Sequence, residues 1–254
     1  MKLVFLGTSG AVPAAGDGNV SFAVSYGGRV VLVEASGTPA ADLARAGLDL
    51  RQLEAVVVSH DHPDHLYGFP VLLQSLRLLE RTEPLVVLAN RPTLRVLRRL
   101  ARLLRLYPRP GMFPVRWTAL DDGEWALDSG LRIRLFPVRH SRPTCGVRLS
   151  TTEACLVYSA DTAPCPRLIE EARCCKALIH EASCVAAEET VKNPLGHSSG
   201  RQAGRAAAEA GVQTLFLCHF DYQGGATPAI VGPEARAVFS GTVVVPRLHQ
   251  RYAV

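Results

Sequence analysis

The chain has 254 residues, 48% of them hydrophobic and 20% charged, which is enough to bury a sizeable core. No apolar stretch reaches the length of a membrane span, the run at residues 1–7 is too short for a signal peptide, and no low-complexity tract or linker divides the chain. A membrane protein and a repeat array are thereby excluded, and one cytoplasmic domain spanning 1–254 is expected, its net charge of +5 carried almost wholly by arginine.

In chain order, strands are predicted over 3–6, 21–26, 29–34, 55–58, 84–88, 131–138, 145–150, 154–159, 177–180, 214–218 and 242–245. Helices are predicted over 39–46, 64–80, 92–106, 165–172, 199–210 and 228–239. The mixture is α/β. Strands and helices in each half suit two packed sheets covered by helices, a four-layer αβ/βα sandwich, with a single doubly wound sheet as the alternative.

The first strand leads into a glycine-rich turn, Gly7-Thr8-Ser9-Gly10-Ala11-Val12-Pro13. No Gly-Lys-Ser/Thr follows it and its spacing is not a dinucleotide fingerprint, so it reads as a tight turn near a site rim. The apolar run Ala55-Val56-Val57-Val58 is a buried strand, and Ser59-His60-Asp61-His62-Pro63-Asp64-His65 comes directly after it. Three imidazoles and two carboxylates occupy six positions there. A turn after the strand lets His60 and His62 converge on one cation, while Asp64 and His65 open the next helix and face a second.

Residues 91–116 hold eight arginines and no acid. Arg95, Arg98, Arg102, Arg105 and Arg109 recur at steps of three and four, opposite Leu94, Leu97, Ala101 and Leu104. Such a stripe is either a solvated face or a surface for a polyanion such as RNA.

A dinuclear centre needs further ligands, and isolated His and Asp residues stand at later strand ends. His140 follows 131–138, Asp161 follows 154–159, and His219 follows 214–218. They complete one set of His60, His62 and His140 and another of Asp64, His65 and His219, with Asp161 as bridge. Nitrogen and oxygen donors favour two zinc ions, with manganese, iron or cobalt as alternatives. The seven cysteines are odd in number, confined to the second half and without Cys-x-x-Cys spacing, so all are expected reduced. Neither Gly-x-Ser-x-Gly nor a cysteine at a strand-to-helix turn supports a nucleophilic mechanism.

His-x-His-x-Asp-His followed by a lone His, an Asp and a final His resembles the metallo-β-lactamase superfamily, and within it ribonuclease Z and its phosphodiesterase relatives. Phe5 to Pro13, Asp64-His65-Leu66-Tyr67-Gly68-Phe69-Pro70, Tyr158-Ser159-Ala160-Asp161-Thr162, His180-Glu181-Ala182-Ser183 and Gly196-His197-Ser198-Ser199 carry the likeness. The resemblance implies hydrolysis of a phosphodiester substrate, RNA among the candidates, with Asp64 orienting water and Glu181 with His197 supplying a proton to the leaving alcohol. It also implies a homodimer. His180 is read as buried and structural, and Ser198 and Ser199 as caps of the helix that follows. Two departures stand out: Glu34 occupies a place where the group usually has aspartate, and the twenty residues between His140 and Asp161 leave no room for the tRNA-gripping arm of many ribonuclease Z enzymes. A cyclic-nucleotide or other small-molecule phosphodiesterase is therefore the alternative, with a lactone or thioester hydrolase behind it.

Overall fold

Strands that are apolar on both faces need cover on both sides. The computed structural model, which describes residues 1–254, supplies that cover with two seven-stranded sheets and two outer helical layers. The first sheet contains β1 (Lys2–Gly7), β2 (Ser21–Tyr26), β3 (Arg29–Val33), β4 (Leu53–Val58), β5 (Leu85–Ala89) and β6 (Val115–Ala119) in spatial order. The second runs in spatial order from β7 (Gly123–Ala126) through β8 (Arg132–Pro137), β9 (Cys145–Ser150), β10 (Cys155–Tyr158), β11 (Ala177–Glu181) and β12 (Thr214–Cys218) to β13 (Thr242–Val244). The last strand, β14 (Arg251–Ala253), returns to pair with β1.

Side-chain alternation builds the layers. Leu3, Phe5, Val31, Val33, Ala55 and Val57 face inward and meet Ile133, Leu135, Leu149, Tyr158, Ile179 and Phe216 from the second sheet. Their neighbours Val4, Leu6, Leu32, Val56 and Val58 face outward against α1 (Pro39–Arg45), α3 (Phe69–Leu78) and α4 (Arg91–Leu103). Behind the second sheet, Val157, Leu178, Leu215 and Leu217 pack on α5 (Pro166–Ala172), α7 (Gly200–Ala210) and α8 (Pro228–Arg236). The expected four-layer sandwich is thus present, and a single doubly wound sheet is excluded. No helix is long and apolar enough to cross a membrane.

Each sheet is antiparallel on one side and parallel on the other: β3 to β6 are mutually parallel, as are β10 to β13. Parallel strands present their carboxyl ends on one edge, where α/β proteins place ligands. The turn after β4 and the residues after β10 and β12 all leave from such edges. Between His140 and Asp161 lie β9, a tight turn and β10.

The predicted helix 64–80 is two helices, α2 (Pro63–Leu66) and α3, broken at Tyr67 and Gly68. A Cβ at Gly68 would stand 2.7 Å from the Gly37 carbonyl oxygen and from Pro39 Cδ, so the break brings backbone against backbone. The strands β6, β7 and β14 were not anticipated; they are short and only partly buried, so their alternation is weak. Nor were the short helical turns around α6 (Glu189–Lys192). The helix α4 ends at Leu103 rather than 106, with Leu94, Leu97 and Ala101 buried against the first sheet. Its arginines therefore point away from the seam between the sheets.

The expectation that all seven cysteines are reduced fails for one pair, because Cys155 and Cys175 form a disulfide. They stand at the entrances of the parallel neighbours β10 and β11, where Lys176 N–H donates to the Cys155 carbonyl and the two Cα atoms lie 4.6 Å apart. The other five are free.

Candidate metal centre

Four chain exits converge at the seam. After β4, Ser59 N–H donates to Glu34 Oε2 at 3.2 Å, and the turn that follows delivers His60 and then His62, which immediately precedes α2 without a side-chain cap. Pro63 opens α2 where a proline costs no hydrogen bond, placing Asp64 and His65 in its single turn. His140 comes from the β8 to β9 connection, Asp161 from the end of β10 and His219 from the end of β12. Three non-glycine residues at strand ends around the site, Glu34 after β3, Ala160 after β10 and His219 after β12, adopt positive φ of 61°, 52° and 58°. Each such residue costs about 1–3 kcal/mol and recurs where surroundings hold a functional geometry.

Two groups of ligand atoms result. In the first, His62 Nδ1 lies 2.9 Å from His60 Nε2 and 3.2 Å from His140 Nε2. In the second, Asp64 Oδ2 lies 3.4 Å from His65 Nε2 and 3.5 Å from His219 Nε2. Asp161 Oδ2 stands between them, 3.8 and 4.0 Å from His60 and His140 and 3.5 and 3.2 Å from His65 and His219. Donors held about 2.0–2.2 Å from a tetrahedral ion stand roughly 3.3 Å apart, close to these separations. His65 Nε2, His219 Nε2 and Asp161 Oδ1 are buried without a hydrogen-bond partner, as ligand atoms facing a cation would be. The residues fit a divalent metal ion.

Polar groups stand behind three of the ligands. His60 Nδ1 meets Ser59 Oγ at 2.9 Å, His140 Nδ1 meets the Gly196 carbonyl at 2.9 Å, and His65 Nδ1 meets Glu34 Oε1 at 3.3 Å. Burial, with the nearby His65, holds the His60 imidazole well below its usual pKa, and burial with His140 lowers that of His62. Both are thus neutral ligands near neutral pH. For His65, burial opposes protonation but the carboxylates of Asp161 and Glu34 outweigh it and raise the pKa. Burial likewise works against ionised Asp161, yet His219 and His65 keep its pKa low.

Beside the second group stands a carboxylate–imidazole pair. Glu181 Oε1 lies 3.1 Å from His197 Nδ1 and accepts Thr162 N–H at 2.6 Å. Ser183 donates its hydroxyl to Glu181 Oε2 and lies 3.0 Å from His197 Nδ1. Burial pulls the His197 pKa down, but the Glu181 charge prevails and lifts it to about 9. The ring of His197 stacks at 5.9 Å from that of His219 and meets His140 edge-on at 5.0 Å, so it borders both groups.

Every residue singled out from the sequence lies here: His60, His62, Asp64, His65, His140, Asp161, His219, Glu181 and His197. Glu34 reaches His65 despite its extra methylene. Gly10 packs on His219, where a Cβ would come within 3.2 Å of the ring, placing the first turn on the rim. His180 is buried and bonded to the Glu181 carbonyl at 2.7 Å, as expected. The reading of Ser198 needs correction: Ser199 caps α7 in a capping box with Gln202, whereas Ser198 donates to the Thr162 carbonyl at 2.6 Å. Sequence reasoning missed Ser183 and Asn90. Asn90 caps α4 while donating to the Ser59 and Pro143 carbonyls, a double role that its Asn-x-x-Thr setting signals only as a cap.

Residues 29–220 match the model of the beta-lactamase superfamily domain, and the chain belongs to that family. Among curated relatives, Ribonuclease Z of Ignicoccus hospitalis is 27% identical over 266 aligned positions covering 86% of this chain and 87% of that protein. Among solved structures, the metallo-beta-lactamase fold protein YhfI from Bacillus subtilis superposes with a TM-score of 0.81 at 20% identity, covering 99% of each chain. Human tRNase Z, short form, also gives 0.81 at 18% identity, covering 100% of this chain and 99% of that one. At such identities the two structures speak to the fold. The chain is a metal-dependent hydrolase of that superfamily, and its curated relatives carry the name Ribonuclease Z.

Proposed function

We propose that this protein is a dinuclear, zinc-dependent phosphodiesterase acting on RNA in the manner of a 3′ processing endonuclease. The observation that carries this reading is the position of Asp161 Oδ2, within 4.0 Å of nitrogen donors from both ligand groups. The relatives named Ribonuclease Z supply the substrate class.

His60, His62 and His140 would hold one ion, and Asp64, His65 and His219 the other, with Asp161 shared. Such ions supply Lewis acidity, a nucleophilic water near neutral pH and screening of phosphate charge. The carboxylate of Asp64 orients the attacking water by accepting its proton in a hydrogen bond. His197, protonated through its pairing with Glu181, donates a proton to the departing alcohol oxygen, and Glu181 with Ser183 fixes which ring nitrogen faces the substrate. Manganese, iron or cobalt would satisfy the same donors. A homodimer through the outer helices belongs to the same reading, supported by the exposed Val71, Leu78, Leu103 and Leu104.

The short β9 to β10 connection supports a second reading, a phosphodiesterase for cyclic nucleotides or other small diesters, since nothing protrudes there to hold a tRNA. The deciding experiment offers zinc- and manganese-loaded protein a 3′-extended precursor tRNA, a panel of cyclic nucleotides and a chromogenic diester at low salt. Cutting after the discriminator base, lost in His197→Ala, establishes the first reading. Turnover of the small diesters with tRNA intact establishes the second, and turnover of no diester at all overturns both.

A further inference from the structure

Two cations stand beside the cluster, and both are tethered in the same fashion. Arg142, two residues past His140, places Nη1 3.6 Å from Oδ1 of Asp61, the residue between His60 and His62. Lys192 places Nζ 3.8 Å from Oδ2 of Asp221, two residues past His219. Neither contact is short enough to be a hydrogen bond. The Arg142 side chain is 55% exposed and that of Lys192 27% exposed, so each ion pair holds its cation loosely.

The two loops that carry these cations form one wall. Gly196, at φ 90°, leaves so little space that a Cβ would sit 2.5 Å from His140 Cα and 2.9 Å from Ser141 N. The Lys192 carbonyl accepts the His197 N–H, and the Lys192 ammonium is close enough to work against protonation of that ring. Arg142 therefore lies toward the His60 and His62 end of the centre and Lys192 toward the His219 end.

We propose that Arg142 and Lys192 bind the phosphates on either side of the scissile bond, exchanging Asp61 and Asp221 for substrate. The preferred substrate is then a polynucleotide strand with flanking phosphates, not a diester with a single charge. This rests on the phosphodiesterase reading above. A small diester has no charge left for the rim once its one phosphate sits at the centre. A strand offers a phosphate to each rim cation, bidentate for the guanidinium and as a point-charge contact for the ammonium. The aspartates keep both arms at the rim when no strand is bound, which reduces the ordering cost of binding.

The test uses the metal-loaded protein with Arg142→Gln, Lys192→Gln and the double variant, and Arg98→Gln on the outer face of α4 as control. Turnover of a single-stranded RNA oligonucleotide is compared with that of a chromogenic diester. Each rim substitution should lower kcat/KM for the oligonucleotide about tenfold and leave the diester within about twofold. In parallel, fluorescence anisotropy follows binding of the single-stranded RNA oligonucleotide against salt in a His197→Ala background, where turnover is slowed. The slope of log affinity on log salt should fall by about 0.7 per rim substitution and stay unchanged in the control. Equal losses on both substrates, or an unchanged slope, overturns the proposal. If the wild type turns over neither substrate the phosphodiesterase reading itself falls, while the salt slope still decides whether the two cations hold phosphates.

Discussion

Glu34 Oε1 faces His65 Nδ1 at 3.3 Å, and neither side chain is reached by solvent. With Glu34 Oε1 behind Nδ1, the ring presents Nε2 to Asp64 and Asp161, 3.4 and 3.5 Å away. Positive φ at Glu34 aims the side chain there, and Ser59 N–H holds its other oxygen. Glu34→Gln should therefore weaken metal binding at the second group by about 10–100-fold while sparing the first. Competition with a chromogenic chelator would resolve the two affinities; an equal loss at both sites would count against this role.

Single ligands should separate the groups. His62→Ala and His219→Ala are each expected to lower bound metal from two ions to one per chain, with hydrolysis lost and the circular dichroism spectrum retained. Elemental analysis of dialysed protein measures the ratio, and two ions retained in both variants would sink the dinuclear assignment.

The pH dependence follows from His197. Its pKa of about 9 lies above the usual imidazole value, so the donating form persists through neutrality and is lost as pH rises through about 9. Activity should show an alkaline limb there. Glu181→Gln removes the charge that raises the pKa and should move the limb down toward about 6.5. The stability contribution has the same sign: it is fully present below the unfolded value and fades as pH rises through the folded one. His197→Ala should cost about 10²–10⁴-fold in kcat, less for diesters with a good leaving group.

Metal removal should register in stability as well as rate. Zinc at a hundred times its dissociation constant contributes about 2.7 kcal/mol, or roughly 5–10 °C in Tm for a chain of this size. Calorimetry with and without EDTA reads this directly. An unchanged Tm would mean that the folded chain does not hold the ion.

Gly196 offers a purely steric test. Gly196→Ala forces a methyl group against His140 Cα and into a left-handed backbone conformation. Activity and metal affinity at the first group should fall together, whereas Gly211→Ala, strained in φ but facing open space, should affect stability alone.

Much of this centre was legible in the sequence because its ligands follow apolar runs, and an apolar run that ends in His or Asp announces a strand exit. His60, His62, Asp64 and His65 add a spacing that few other settings require. What remained hidden depends on contacts distant in sequence. Ser183 is the fourth residue of a recognisable motif, yet its bond to His197 exists only after the chain has travelled fourteen residues through short helical turns. Asn90 reaches Ser59 across thirty-one residues and Pro143 across fifty-three. The break at Gly68 is invisible to periodicity because the helical pattern resumes at once in α3. The strands β6 and β7 escaped because edge positions leave half of each side chain in water, which blurs the alternation of apolar and polar residues.

The ligands are divided between the two sheets, four on the loop after β4 and the rest on the second sheet. An ion bound among them acts as a clasp across the seam, so that neither half carries a finished centre. On the ribosome, His60 to His65 emerge long before His219, and the newborn chain passes most of its synthesis with an incomplete donor set. A complete donor set exists only when the second sheet has closed over the first.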